Sequence, residues 1–210
     1  NTPSEQQESI DAFLAWAPTL LQDFNEIDRH IIDPDGVFDY LEAISDLNHW
    51  SLNLPKTDII ESHIRFWHLL KRYYHEFKSY LLANNTAYQG LSYRMAVDGI
   101  EAYMSNNSHK QHVFLGFNAL NKAESYLIQE LLQNDMADIY WDIDEVFFKD
   151  PIHSAGLFTR DYKSTWSYYR THEFQWIGND YSQAKQIEVI GVPKHVGQAK
   201  CVGQLLNDLV

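Results

Sequence analysis

The chain has 210 residues, 45% hydrophobic and 21% charged, which suffices for a sizeable core and is too apolar for a disordered segment. Lys and Arg number 16 against 29 Asp and Glu, and the net charge of −13 excludes a stand-alone coat for DNA or for an anionic membrane. The single cysteine, Cys201, excludes an internal disulfide and any Cys-pair zinc site.

Up to residue 107 the pattern is helical. Ile10, Phe13, Leu14, Ala17 and Leu21 recur at the spacing of a buried helical face, and Pro18 is expected to kink or break that helix. Asp33-Pro34-Asp35-Gly36 reads as a turn, with Pro setting φ and Gly permitting a positive one. The longest helix is expected from about Thr57 to Ala83, started by Thr57 and Asp58. Its apolar stripe is Ile60, Ile64, Trp67, Leu70, Tyr74, Phe77 and Leu81, which leaves Lys71 and Lys78 for solvent. A further helix from about Thr86 to Met104 carries Tyr93, Ala96, Val97, Ile100 and Tyr103. The polar run Asn106–Lys110 reads as a loop. Acidity falls at the same place: 16 acidic and 7 basic residues precede it, against 13 and 9 from Asn106 onward.

After the loop the period changes. His112–Phe117 has the shape of a buried parallel strand, and Asn121 with Glu124 forms a capping-box pattern before a helix. Ile139–Asp144 reads as a second strand ending in carboxylates, followed by a helical stretch over about Ser154–Thr171. Ile187–Val192 reads as a third strand and Val196–Leu209 as a last helix. The expected architecture is α/β: a helical subdomain over 1–107, then an α/β subdomain over 108–210 whose parallel sheet carries helices on both faces, in three layers.

Several residues carry candidate chemistry. Asp142 and Asp144, with Glu145 and Asp150 nearby, sit where parallel sheets bind ligands and could hold Mg²⁺; acidic residues also suit a plain helix start. Asp161-Tyr162-Lys163 has the acid-x-Lys spacing of restriction-type nucleases, but it falls in a stretch read as helix, where that chemistry needs a strand. The histidines His30, His49, His63, His68 and His75 form no His-Glu-x-x-His pattern and read as ordinary core or surface residues. No Gly-Lys-Ser/Thr phosphate loop and no Rossmann fingerprint is present, and Cys201 reads as a packing residue. Arg160, Lys163, Trp166, Tyr168, Tyr169 and Arg170 form a basic-aromatic patch that would stack single-stranded bases or, alternatively, bury an aromatic stripe.

Three segments carry a resemblance: Phe24-Asn25-Glu26-Ile27-Asp28, Val113–Glu124 and Ile139–Asp144, with Gln183–Leu209 extending it. They resemble the helicase-like region of bacterial AddB-type recombination proteins, and more narrowly the inactivated superfamily I helicases that carry a downstream PD-(D/E)XK nuclease domain. The resemblance implies a P-loop-NTPase-like sheet that lacks its P-loop. Active relatives end the first strand in an Asp-Glu pair that holds Mg²⁺; here Gly116-Phe117-Asn118 stand in its place, a degenerate motif that implies no ATP hydrolysis. No cofactor is then expected, and none of the family's nuclease residues falls within this chain.

The function implied is a non-catalytic scaffold in a DNA repair and recombination protein, engaging DNA through the longer parent and contacting a partner subunit or the nuclease domain. Two alternatives stand beside it: a metal-dependent nuclease or hydrolase using Asp142 and Asp144, and an acidic protein-interaction module. No apolar run reaches the ~20 residues of a membrane span. Asn1–Gln7 lacks the charge and apolar centre of a signal peptide, so a cytoplasmic setting is expected. The missing initiator Met suggests an excerpt of a longer chain.

Overall fold

Ser9 starts the first helix by accepting the Ala12 N–H at 3.2 Å, and α1 then runs Ile10–Arg29 straight through Pro18 without a break. This comes from a computed structural model that describes residues 9–51, 58–176 and 178–209, with side chains described outside 45–51, 58–65 and 67. The buried part of α1 is its C-terminal end, on the same side as the expected stripe. Ile10, Leu14 and Leu21 are exposed, while Phe24, Ile27 and Asp28 are buried, because the helices that pack on α1 cover its C-terminal half.

Asp33-Pro34-Asp35-Gly36 is a helix start and not a turn. Asp33 accepts the N–H groups of Asp35 (3.2 Å) and Gly36 (3.0 Å), and Pro34 takes the first position of α2 (Pro34–Ser51). Proline is favoured there because that N–H has no partner inside the helix. The tight turn falls earlier, at Ile31, whose φ is 52°. The Ile31 N–H donates to Asp28 O (3.1 Å) and the Ile32 N–H to Ile27 O (3.0 Å), a Schellman closure of α1. Asn85 (φ 53°) and Asp135 (φ 55°) end two later helices in the same way, with side chains that tolerate this region better than a β-branched one.

Helix α3 (Asp58–Ala83) matches the expected span, and Leu70 and Tyr74 are buried as the stripe requires. Thr57 and the side chains of His49, Ile60, His63, Ile64 and Trp67 lie outside the described residues. Lys71 does more than face solvent. It bridges Asp39 (2.8 Å) and Asp35 (3.2 Å) on α2, between a His68–Glu42 pair and a His75–Asp35 pair at 2.8 Å. The expected single helix after residue 86 is two, α4 (Gln89–Asp98) and α5 (Ile100–Asn106), divided at Gly99.

Beyond the loop, β1 (His112–Leu115) and β2 (Ala137–Tyr140) pair in parallel, His112 opposite Ala137 and Leu115 opposite Tyr140. The helix α6 (Lys122–Gln133) connects them. It opens on the expected capping box: the Glu124 N–H donates to Asn121 Oδ1 and the Asn121 N–H to Glu124 Oε2, each at 2.9 Å. The ladder ends at Gly116, whose φ of +68° only glycine adopts without strain.

Among the described residues the sheet has two strands and not three, and it is covered on one face only. Ala137 and Ile139 are buried, whereas Val113 and Leu115 on the opposite face are 56% and 61% exposed. Ile187–Val192 is irregular, with Val189 91% exposed. An apolar β-branched run becomes a strand only where a ladder receives it. The stretch expected as one helix over Ser154–Thr171 is likewise divided, with α8 at Leu157–Thr165 between 3-10 turns at Ser154–Gly156 and Ser167–Arg170. Before it lies the short α7 (Glu145–Lys149).

By compactness the chain divides into residues up to Gly178 and Asn179–Val210, the latter carrying α9 (His195–Asp208) close to the expected last helix. The first unit holds two cores. Phe24, Ile27, Phe38, Leu70 and Tyr74 build one, and an aromatic-rich cluster around Trp141, Leu132 and Ile139 builds the other.

Two consequences are measurable. Replacing Ile31 by Gly removes an unfavourable left-handed conformation, so a gain of ~1 kcal/mol is expected in urea unfolding. Asp35 is held below the ordinary carboxyl range by hydrogen bonds from His75 and Lys71. A lowered carboxyl lends stability above its unfolded pKa of about 3.9 and loses it as the pH falls through the folded value. The urea midpoint should therefore fall on acidification below about pH 4, and fall less steeply in Asp35→Asn.

Candidate functional site

The carboxylates singled out at the end of β2 lie past the ladder. Trp141 turns away from β1 and pairs with the chain at Trp176, its N–H donating to Gln175 O at 2.9 Å. Trp141 and Ile143 are buried, which leaves Asp142 exposed between them. Asp144 caps α7 by accepting the Val146 N–H at 3.0 Å, and Glu145 pairs with Lys149 at 2.8 Å. Asp150 accepts the N–H groups of Ile152 (2.9 Å) and His153 (3.3 Å), and these bonds hold its carboxyl below the ordinary range. No group of three metal-ligating side chains occurs among the described residues.

The degenerate motif is all surface: Gly116, Phe117 and Asn118 are exposed and uncharged at the end of β1. Asp161 and Lys163 lie on α8, where two residues of helix turn their side chains roughly 200° apart. They do not form the strand-borne pair of a nuclease.

The basic-aromatic patch is largely core. Trp166 is 4% exposed and packs on Trp141 and Tyr162, so it offers no free face to a base. The Tyr169 hydroxyl accepts the Trp141 Nε1–H at 2.6 Å, and burial pushes it up to about 12. Arg160 donates to the carbonyls of Phe147 (2.9 Å) and His153 (2.8 Å), which closes the turn before α8. Lys163 lies over the rings of Phe148 and Phe174, 5.8 and 5.6 Å from their centroids. Arg170 is exposed.

The most concentrated polar chemistry lies elsewhere, in the segment Phe24–Asp28. Asp28 is wholly buried and accepts hydrogen bonds from Tyr74 OH (2.6 Å), Tyr88 OH and Arg94 Nε. Arg94, itself 11% exposed, also donates through Nη2 to Ile27 O (3.1 Å) and Ile32 O (2.6 Å), so it braces the turn at Ile31. Burial, reinforced by the Asp28 carboxylate, raises both tyrosine hydroxyls well above their ordinary value.

Beside them α4 meets α1 at Gly90. A Cβ at Gly90 would come within 2.2 Å of Asn25 O, and the Gly90 N–H donates to Asn25 Oδ1 at 2.7 Å. Asp28 falls within a segment that carries the resemblance, and no sequence pattern marks Arg94. The one available signal is that Asp28 directly follows the apolar Ile27 and lies one helical turn past Phe24. Asp28 and Tyr74 are buried and Tyr88 and Arg94 partly so, and the network ties α1, α3 and α4 together.

No protein-family model matches the chain, no curated protein matches its sequence, and no solved structure matches its fold. No helix among the described residues is long and apolar enough to cross a membrane.

Removing one member of a buried ion pair strands the other. Arg94→Met is expected to cost ~3–5 kcal/mol in urea unfolding. Pairing it with Asp28→Asn should recover part of that loss, because no buried charge is then left alone.

Proposed function

We propose that the chain is a non-catalytic, helicase-like scaffold within a longer cytoplasmic DNA repair and recombination protein. In this reading the helical half is a subdomain inserted beside the motor core. The two-stranded α/β half belongs to a larger three-layer sheet of the P-loop type. DNA is engaged through the parent protein, and contacts run to a partner subunit or to a downstream nuclease domain.

The observation that carries the proposal is the end of β1. Phosphoryl transfer needs a carboxylate there to hold Mg²⁺ and orient water, and Gly116, Phe117 and Asn118 supply none. The nearby acids do structural work, Asp144 as the cap of α7 and Asp150 at the following turn. That use favours a scaffold over a metal-dependent hydrolase built on Asp142 and Asp144. An acidic protein-interaction role is compatible with the scaffold, since residues before the loop carry 16 acidic groups against 7 basic ones.

Two measurements test the proposal. The full-length protein is expected to show no Mg²⁺-dependent ATP turnover, and turnover abolished by substitution of Asn118 or Asp144 would overturn it. Calorimetric titration with Mg²⁺ is expected to show no site tighter than millimolar. A tighter site lost in Asp144→Ala would restore the hydrolase reading.

A further inference from the structure

A cleft of about 590 Å³ opens where α4 and α5 meet β1 and α6, within the size range of small-molecule sites. Its walls are mostly apolar, and three of its rings, Tyr103, Phe114 and Phe117, reach the opening or lie half-buried beside it. Phe114 and Phe117 meet edge to face with centroids 6.0 Å apart, so the pair presents a ring face as well as an edge. Aromatic faces carry partial negative charge and attract organic cations. Lys110 Nζ already lies 6.0 Å from the centroid of Tyr103, so the rings left for a ligand cation are Phe114 and Phe117.

Among the described residues Glu124 is the carboxylate lining the cleft, and His112, a titratable base whose Nε2 lies 3.3 Å from Tyr103 OH, lines it as well. The capping box fixes the position of Glu124, and each of its oxygens accepts one bond, Oε1 from Tyr93 OH (2.7 Å) and Oε2 from the Asn121 N–H. A carboxylate oxygen has two acceptor sites, so each retains one for a further donor. The net charge of −13 draws cations toward the surface and repels anions.

We propose that this cleft binds a small organic ammonium ion: an apolar body against the aromatic and aliphatic walls, its charged nitrogen between the aromatic rings and Glu124. A neutral molecule of the same shape gains the burial and loses the charge interaction, and a carboxylate meets repulsion.

Isothermal titration of the protein with phenethylamine, phenethyl alcohol and phenylacetate tests this. Phenethylamine should bind saturably, one per chain, about tenfold more tightly than the alcohol, and phenylacetate should not bind. Glu124→Gln keeps the capping box, which accepts Gln at that position, and should bring the amine to the level of the alcohol while leaving the alcohol unchanged. Ala96→Phe, on the exposed wall, should abolish binding of both, with circular dichroism confirming the fold. The proposal is overturned by no saturable binding of phenethylamine at millimolar concentration, by equal binding of amine and alcohol, by binding of phenylacetate as tight as the amine, by an unchanged amine affinity in Glu124→Gln, or by amine binding that survives Ala96→Phe.

Discussion

A charge cannot be taken out of water without compensation, and the helical half of this protein is arranged around one such charge. Asp28 is fully buried, so its oxygens need donors, and the donors come from α3 (Tyr74), from the start of α4 (Tyr88) and from α4 itself (Arg94). Desolvation makes such a cluster weak evidence for net stability, but it makes misassembly expensive. A rotation of α3 or α4 would leave the carboxylate bare. The apolar contacts of Phe24, Phe38 and Leu70 supply attraction without direction, and the polar cluster supplies the direction. Arg94 extends that control to the backbone by holding the carbonyls on either side of Ile31, the position where a β-branched residue sits least comfortably.

Local features were legible in the sequence and relations between elements were not. The span of α3, the strand β1 and the reciprocal Asn121–Glu124 cap all follow from period or from short-range chemistry, whereas β2, at Ala137–Tyr140, starts two residues and ends four residues before the expected strand. The buried end of α1 could not be read in the same way, because Ile10, Leu14 and Leu21 continue on the same helical side as Phe24 and Asp28, and only the packing partners decide which turns are covered. Asp33-Pro34 shows a different ambiguity: the same residues open a turn or a helix. Asp28 and Arg94 are 66 positions apart and leave no periodic trace. Ile187–Val192 has strand composition, yet composition measures fitness for a sheet and not the presence of one.

The candidate chemistry divides along the same line. The carboxylates expected at the end of a strand over Ile139–Asp144 lie beyond it: β2 ends at Tyr140, Trp141 pairs elsewhere, and Asp144 and Asp150 are taken up by a cap and a turn. The aromatic residues around Trp166 show the converse. Tyr, Trp and Lys in sequence suit nucleic acid equally well as a core, and here Trp141, Tyr162, Trp166 and Phe174 pack on one another and close the hydrophobic interior. What remains accessible is the cleft between the two halves of the first unit, whose single carboxylate is immobilised by the cap that starts α6.

The near-contact at Gly90 has a consequence for ancestry. Any side chain there would drive a carbon into the Asn25 carbonyl, so divergence is blocked at that position while most of the surface is free to drift. Asn25 and Asp28 lie three apart on one helix, and Gly90 and Arg94 four apart on another. Those two spacings are what a chain that packs α1 on α4 in this way has to keep.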